Sequence, residues 1–329
     1  MLHLKLSQGL ALLIAATCLT VTAANAAEPK VVVTMKPVHS LVAQIMEGVA
    51  TPALIVDGAA SPHTFTLKPS GAKAINEAGV FIRVSEAVEP FTRKIISALP
   101  KSVALVSLSD VAGMKLLDQR HGGAFEEHAH DDEKDHDDHH DKDGKHAGHD
   151  DDDDHEGKDG HIWLDPANAK VIVESVTKVL AGTYPDHADK LKANSAAVLA
   201  KLDALTAEIE TLVAPVKDKP FIVFHDATQY FENRFGLAAA GSITVSPDVQ
   251  PSAKRLTAVR KKIGSLDAVC VFTEPGFQPN LVAAVTEGTK ARSGTLDAEG
   301  QALKPGPELY GDLMLGLARN IRGCLQPVS

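Results

Sequence analysis

The chain has 329 residues, a length that suits two domains better than a single core. Its formal net charge is -10, and such an acidic chain argues against nucleic acid as the partner. The acidity is local, because residues 121–161 contain 17 acidic residues against 4 lysines. The rest of the chain has a small positive excess, so the net charge describes one insert and not the globular part.

The amino-terminal residues have the pattern of a secretory signal peptide. Lys5 precedes an apolar run from Leu10 to Val21, which is short for a membrane span, and an A-x-A cleavage site ends at Ala26. We therefore expect residues 1–26 to be removed and the mature chain to lie in the periplasm. An uncleaved anchor and a lipoprotein built on Cys18 are weaker alternatives.

Two cysteines remain after the signal peptide, Cys270 and Cys324. An even pair in an oxidising compartment favours a disulfide bond. Two buried free thiols are the alternative. A metal-binding role is less favoured, because the two residues are far apart in sequence and neither has a C-x-x-C neighbour.

Strand and helix patterns alternate along the first part of the mature chain, which is typical of a mostly parallel sheet with helices on its faces. The predicted strands are Val31–Val33, Leu54–Val56, Val80–Val84 and Val103–Leu108, and the predicted helices are Pro37–Gly48, Pro69–Ala78 and Pro90–Leu99. Residues 121–160 interrupt this alternation. They contain almost no large apolar side chains after Phe125, so we expect this His- and Asp-rich insert to be disordered.

The pattern resumes at Ile162–Leu164, which is strand-like. Helices are predicted at Pro166–Leu180 and Pro185–Val213, and the second has an apolar stripe along its length. A helix this long suits a rigid connector between two domains, and an ordinary packing helix is the alternative. Further strands are predicted at Phe221–Phe224, Ile243–Val245, Ala268–Phe272 and Gly294–Leu296, and further helices at Tyr230–Phe235, Ala253–Ile263, Pro279–Glu287 and Tyr310–Cys324.

The sequence therefore predicts an α/β fold with two lobes. Each lobe is a small, mostly parallel sheet flanked by helices, and one long rigid helix joins them. The predicted domains are an N-terminal lobe at 27–165, a helical region at 166–214 that includes the connecting helix at 185–213, and a C-terminal lobe at 215–329.

Three histidines outside the body of the insert lie at the ends of predicted strands. His63 follows the second strand, His161 directly precedes a strand-like segment, and His225 ends the strand that begins at Phe221. Ligands collect at the carboxyl ends of strands in open α/β sheets, and zinc is commonly bound by imidazoles. The three are therefore candidate zinc ligands, although a lone histidine at a strand end is more often a hydrogen-bonded structural residue. Carboxylates near strand ends are further candidates, as ligands or as their supports: Asp165, Asp226, Glu274 and Asp297.

Five groups of motifs stand in the order found in one known family. They are Ser61-Pro62-His63 with Leu67-Lys68-Pro69-Ser70, His161-Ile162-Trp163-Leu164-Asp165-Pro166, Phe224-His225-Asp226-Ala227 with Tyr230-Phe231, Phe272-Thr273-Glu274-Pro275-Gly276-Phe277-Gln278-Pro279 and Gly294-Thr295-Leu296-Asp297. With these motifs, nearly the whole mature chain resembles the ZnuA-type zinc-binding components of bacterial ABC transporters.

The resemblance implies a ligand set and a partner. It implies that His63, His161 and His225 bind Zn2+ between the lobes, and that Asp297 is a candidate fourth ligand. Water or another carboxylate takes the fourth place as the alternative in zinc-specific members. Manganese-binding relatives have a carboxylate where His225 stands, and a third imidazole shifts the preference toward zinc. The family's pattern also implies a non-enzymatic receptor, expected to be a monomer, that delivers zinc to an integral-membrane ABC permease with a cytoplasmic ATPase. The pair of cysteines is similar to a disulfide of some zinc-type members.

The insert holds 10 of the 15 histidines, counting the one at its carboxyl end. Such tracts chelate zinc weakly, so we expect an auxiliary metal loop that the main site does not require. A solvated acidic linker is the alternative. The auxiliary residues are His128, His130, His136, His139, His140, His146, His149 and His155.

Two other functions compete with a transport receptor. A periplasmic zinc buffer or chaperone would act mainly through the His-rich loop. A secreted zinc hydrolase is disfavoured, because the sequence has neither an H-E-x-x-H motif nor a G-x-S-x-G elbow.

Overall fold

The computed structural model describes residues 30–120, 157–244, 246–247, 249–266, 270–277 and 279–326. The predicted signal peptide and the auxiliary histidines of the insert lie outside these ranges, so they stay predictions. Among the helices of the described ranges, none is long and apolar enough to cross a bilayer.

A four-stranded parallel sheet forms the N-terminal lobe. Its strand order is β2-β1-β3-β4, and Val31 lies opposite Val80 in the central pair. All three residues of β1 are buried, as expected for a strand covered on both faces. The strands are β1 (Val31–Val33), β2 (Ala53–Leu54), β3 (Val80–Arg83) and β4 (Ala104–Ser107).

A second four-stranded parallel sheet forms the C-terminal lobe, with the order β10-β9-β7-β8. Counted from the first strand of each lobe, both sheets have the order 2-1-3-4, so the first strand lies between the second and the third. All five residues of the first strand, β7, are buried. The strands are β7 (Phe221–His225), β8 (Ala239–Thr244), β9 (Cys270–Thr273) and β10 (Arg292–Thr295).

Helices connect the strands, and their ends carry clear sequence signals. α4 begins at Pro166, and the side chain of the preceding Asp165 accepts a hydrogen bond from Ala167 N at 2.9 Å. α6 ends at Gly236, whose left-handed φ of 67° suits glycine. The helices are α1 (Lys36–Ile45), α2 (Pro69–Asn76), α3 (Arg93–Ile96), α4 (Pro166–Thr183), α5 (Ala188–Val213), α6 (Gln229–Phe235), α7 (Ala253–Ser265), α8 (Pro279–Thr286) and α9 (Leu309–Leu325).

One apolar core joins both lobes to the long helix α5. The stripe predicted from the sequence is buried, and Leu191, Val198, Leu202 and Ile209 belong to the same cluster as residues from both sheets. The helix is thus packed along its length against the core that the lobes share. This confirms the predicted α/β class with two parallel sheets and one long helix.

The strand predicted at Ile162–Leu164 is wrong. These residues form a 3₁₀ turn, and all three side chains are fully buried. A short apolar run does not distinguish a strand from any other buried segment. The cap at Asp165 and the proline at 166 start α4 directly afterwards, which leaves no room for a strand.

The predicted disordered insert, 121–160, extends too far at its carboxyl end. Lys158–Asp159 forms strand β6, which pairs antiparallel with β5 (Leu117–Asp118). Gln119 N also donates to Gly157 O at 2.8 Å. The two ends of the insert are therefore held side by side in a short hairpin. The other predicted domain boundaries stay predictions.

Candidate metal centre

His63 lies in a 3₁₀ turn, Pro62–Thr64, that follows β2. Ser61 caps this turn, because its Oγ accepts a hydrogen bond from His63 N at 3.3 Å. Pro62 occupies the start of the turn, where its fixed φ is suitable and no amide hydrogen is required. The Ser-Pro-His motif therefore fixes the backbone that presents the imidazole.

His161 lies between strand β6 and the 3₁₀ turn that precedes α4. Asp159 Oδ1 accepts hydrogen bonds from His161 N at 2.9 Å and from His161 Nδ1 at 2.7 Å. An imidazole whose Nδ1 donates to a carboxylate presents Nε2 as the ligand atom. Sequence reasoning missed Asp159, because it assigned the residue to the insert. The Asp-x-His spacing is the signal that was available.

His225 is the last residue of β7 and is fully buried. Its Nδ1 donates to Glu274 Oε2 at 2.7 Å, and Glu274 directly follows the neighbouring strand β9. Burial by itself lowers the pKa of His225, but the Glu274 carboxylate outweighs burial and raises this pKa to about 9. The surroundings of His225 therefore favour positive charge, and a bound dication would supply it.

The three imidazoles converge on one point. His161 Nε2 lies 3.3 Å from His63 Nε2 and 3.2 Å from His225 Nε2. The ligand atoms of all three residues lie within 4.8 Å of one another. Zinc–nitrogen bonds of about 2.0–2.1 Å place tetrahedral ligands about 3.3 Å apart. The two separations from His161 therefore fit the edges of a tetrahedral metal site, and the third lies within 4.8 Å.

The protonation of His63 also suits a metal ligand. Burial lowers the pKa of His63 well below its usual range, and the neighbouring His161 and His225 lower it further. Metals bind the neutral imidazole, so His63 is available as a ligand at neutral pH.

A cavity of about 160 Å³ opens beside the cluster, and Arg120 forms part of its wall. Arg120 pairs with Asp226 and with Glu232 Oε2, the latter at 2.7 Å. Burial lowers the pKa of this guanidinium, but the two carboxylates outweigh it and hold the pKa above its usual range. Asp226 is therefore engaged by Arg120. The cavity is lined by His63, Ala87, Val88, Gln119, Arg120, Asp159, Gly160, His161, His225, Asp226 and Ser246.

Asp297 is not brought to the three imidazoles. Its Oδ1 accepts a hydrogen bond from Gln301 N at 2.7 Å, and its Oδ2 accepts one from Ala302 N at 2.9 Å. A carboxylate of the same loop, Glu299, lies beside one of the imidazoles, with its Oε1 3.6 Å from His63 Nε2. Sequence reasoning missed Glu299, although its place two residues after Asp297 in the same loop is a usable signal.

The other predicted carboxylates have separate tasks. Glu274 orients His225, whereas Asp165 caps α4 and accepts a hydrogen bond from Arg234 Nε at 2.5 Å.

Burial raises the pKa of Glu299 above its usual range, while the nearby His225 opposes this shift.

The predicted disulfide is present. Cys270 and Cys324 are bonded, with Cα atoms 6.1 Å apart, and they join β9 to α9. The bond therefore lies within the C-terminal lobe, on the strand whose end carries Glu274.

The fold and the site together define a class: a two-lobed α/β protein with a candidate metal centre between its lobes. The chain belongs to the ZnuA family, because the model of the family described as zinc-uptake complex component A, periplasmic, matches residues 31–324.

Relatives and solved structures agree with this assignment. The chain is 47% identical over 304 residues to the high-affinity zinc uptake system protein ZnuA of Brucella abortus (strain 2308), covering 90% of this chain and 91% of the relative. It is 34% identical to the protein of the same name from Yersinia pestis, covering 92% and 93%. A crystal structure of ZnuA has the same fold, with a TM-score of 0.71 at 21% identity, covering 91% of this chain and all of that one.

Proposed function

We propose that this protein captures Zn2+ at His63, His161 and His225 in the periplasm and delivers it to an ABC permease for import. The observation that carries the proposal is the convergence of the three imidazoles, with His161 Nε2 at 3.3 and 3.2 Å from the other two Nε2 atoms, close to the spacing of tetrahedral zinc ligands. The names of the relatives, which are zinc uptake proteins, support zinc as the cargo.

Zinc is the metal that the donor set favours. Imidazole suits zinc, copper and nickel, whereas manganese prefers carboxylates, carbonyls and water. Two of the three imidazoles are held by buried carboxylates, Asp159 and Glu274, which orient the rings and increase their basicity. Copper and nickel are expected to bind in vitro as well, because affinity alone does not discriminate among these metals.

The proposed location and partners follow from the amino-terminal pattern and the family. A signal peptide at residues 1–26 would export the chain, and a monomer carrying zinc would dock on an integral-membrane permease coupled to a cytoplasmic ATPase. The protein acts as a receptor and not as an enzyme.

The His- and Asp-rich insert has an accessory role in this proposal. Its described ends lie beside the cavity, because Gln119, Arg120 and Gly160 are among the lining residues. Histidines on the insert would gather zinc near the cluster without forming the tight site. A zinc buffer that acts mainly through the insert is the alternative, and the number of histidines between 121 and 156 favours it.

Two variants distinguish zinc binding at the three histidines from zinc binding by the insert. His63→Ala with His225→Ala removes two ligands, whereas a short Gly-Ser turn between Arg120 and Gly157 removes the insert and preserves the hairpin. We expect isothermal titration with a competing chelator to show loss of the tight site in the first variant and its retention in the second. His187→Ala is the matched control. Tight binding that survives the double substitution, or is lost with the insert, contradicts the proposal.

A further inference from the structure

An arginine directly before the insert forms part of the wall of the cavity beside the three imidazoles. Arg120 lies two residues after β5, and its guanidinium reaches across to the C-terminal lobe. Its Nε donates to the two oxygens of Asp226 at 3.1 and 3.0 Å, and its Nη1 donates to Glu232 Oε2 at 2.7 Å. One guanidinium therefore holds two carboxylates, whose side chains are only 8% and 3% exposed.

Asp226 is the one of these two carboxylates that lies beside the candidate metal centre. It directly follows His225 in the chain, and its side chain lines the same cavity as His63, His161 and His225. Carboxylate oxygens suit manganese, whereas imidazole nitrogens suit zinc. An Asp226 carboxylate that turned toward the imidazoles would therefore add an oxygen ligand and make the site more favourable to manganese.

The two carboxylates depend on Arg120 to different degrees. Glu232 also accepts hydrogen bonds from Thr228 Oγ1 at 2.6 Å and from Ala239 N at 2.9 Å. For Asp226, the hydrogen bonds found within the described part of the chain all come from Arg120. Loss of the guanidinium would leave Asp226 as a nearly buried carboxylate without a donor, and such a group is stabilised by binding a cation.

A guanidinium has the geometry that this position requires. Arg120 contacts Asp226 through Nε and Nη2, and it contacts Glu232 through Nη1 and Nη2. These donors lie in one plane and in a fixed arrangement, so both carboxylates are held in defined orientations. A lysine ammonium would retain the positive charge without this set of directed donors.

We propose that Arg120 determines metal specificity by pairing with Asp226 and so keeping this carboxylate out of the metal site. The ligands then remain imidazoles, which favour zinc over manganese. This inference rests on the proposed function. Arg120 acts through Asp226 and not by binding the ion, so it is a positioning residue.

The test compares Arg120→Met, which keeps a long side chain without its charge, with the same substitution combined with Asp226→Asn. Arg120→Lys is a second single variant, which retains the charge. Arg319→Met is the matched control, because Arg319 is an exposed arginine on α9 that pairs with Glu208. Affinities for zinc and for manganese are measured separately by chelator competition. Their ratio is the readout, since a loss of stability affects binding of both metals alike.

We expect Arg120→Met to raise the ratio of manganese affinity to zinc affinity at least about tenfold, the lower end of the effect usual for residues that support a metal site. Arg120→Lys should raise this ratio by less, and Arg319→Met should leave it unchanged. Adding Asp226→Asn to Arg120→Met should return the ratio to that of the unmodified protein. An unchanged ratio in every folded Arg120 variant overturns the inference, as does a raised ratio that persists after Asp226→Asn.

The role of Arg120 and the proposed function fail in different ways. If the ratio is unchanged in the Arg120 variants while His63→Ala with His225→Ala abolishes tight zinc binding, the proposed function stands and only the role of Arg120 is wrong. If tight zinc binding survives the two histidine substitutions, the proposed function and this inference are both wrong.

Discussion

The first strand of each lobe ends beside a buried glutamate, but the two lobes use this glutamate differently. In the N-terminal lobe Thr34, directly after β1, donates to Glu89. In the C-terminal lobe His225, at the end of β7, donates to Glu274 at 2.7 Å. The Thr34 hydroxyl has a single proton to donate and does not reach the candidate metal centre, whereas the imidazole of His225 has a second nitrogen that does.

The two glutamates also differ in their contacts and in their electrostatic effects. Glu89 is fully buried and also accepts the backbone amides of Val84 and Ser85 at 2.7 and 3.2 Å. Burial raises the pKa of Glu89 to about 7, despite these hydrogen bonds. Glu274 instead faces an imidazole and raises the pKa of that ring. The shared strand order places a glutamate beside the first strand of each lobe. The residue that contacts this glutamate determines its role, which is structural for Glu89 and metal-supporting for Glu274.

Substituting the residue at the end of the first strand is expected to give the largest difference in zinc affinity between the two lobes. His225→Ala removes a proposed ligand and should weaken zinc binding by more than the 10- to 100-fold typical of a lost supporting residue, by about a thousandfold. Thr34→Val, at the corresponding place in the other lobe, should leave affinity unchanged. Chelator-competition titration measures both variants. Equal effects of the two substitutions would show that the lobes do not differ in this way.

The disulfide is a second difference between the lobes, because it lies within the C-terminal one. The bond closes a loop of 54 residues, for which the chain-entropy model assigns about 4 kcal/mol. Cys270→Ser with Cys324→Ser should lower the free energy of unfolding by about that amount in denaturant titrations. Hydrogen exchange should increase mainly in β9 and α9. Faster exchange that is confined to the N-terminal sheet would contradict this account.

Neutralising each glutamate in turn should affect zinc affinity in the C-terminal lobe but not in the N-terminal lobe. Glu274→Gln weakens the hydrogen bond that orients His225, so zinc affinity should fall about 10- to 100-fold. The matched change in the other lobe, Glu89→Gln, should leave affinity within about twofold. A large loss of affinity in Glu89→Gln would mean that both lobes support the metal through their glutamates.

The pKa of Glu89 predicts a pH dependence of stability. The folded state holds a proton on this carboxyl up to a pKa of about 7, whereas the unfolded state releases it near its ordinary value of 4.5. The contribution to stability is therefore present at pH below about 4.5 and is lost as pH rises through 7, by roughly 2 kcal/mol between pH 5 and 7. Glu89→Gln should remove this component from the pH profile of unfolding, measured in denaturant. An unchanged profile would show that Glu89 is not protonated in the fold.

Sequence reasoning succeeded where side-chain patterns repeat or motifs are dense. The alternation of strands and helices and the apolar stripe of α5 predicted two parallel sheets and a long helix, and both are confirmed. Family motifs selected the three histidines, which the structure brings together. Spacing alone did not select them, because a histidine at a strand end looks the same whether it binds a metal or a carbonyl.

What sequence reasoning missed depends on contacts between distant segments. Glu299 lies beside His63 in a loop whose backbone accepts hydrogen bonds from Lys36 and Trp163, and these contacts join residues that are far apart in sequence. Asp159 was missed for a different reason, since it was assigned to the charged insert although its Asp-x-His spacing to His161 was available. The turn at Ile162–Leu164 shows the limit of apolar runs as a signal for strands.

The position of the bound ion tests the central claim most directly. Crystals of the full mature chain with one equivalent of zinc can be measured above and below the zinc absorption edge, which locates the metal in an anomalous difference map. The account predicts one strong peak about 2.0–2.1 Å from the Nε2 atoms of His63, His161 and His225. A strong peak at any other place, with none among these three imidazoles, would contradict it.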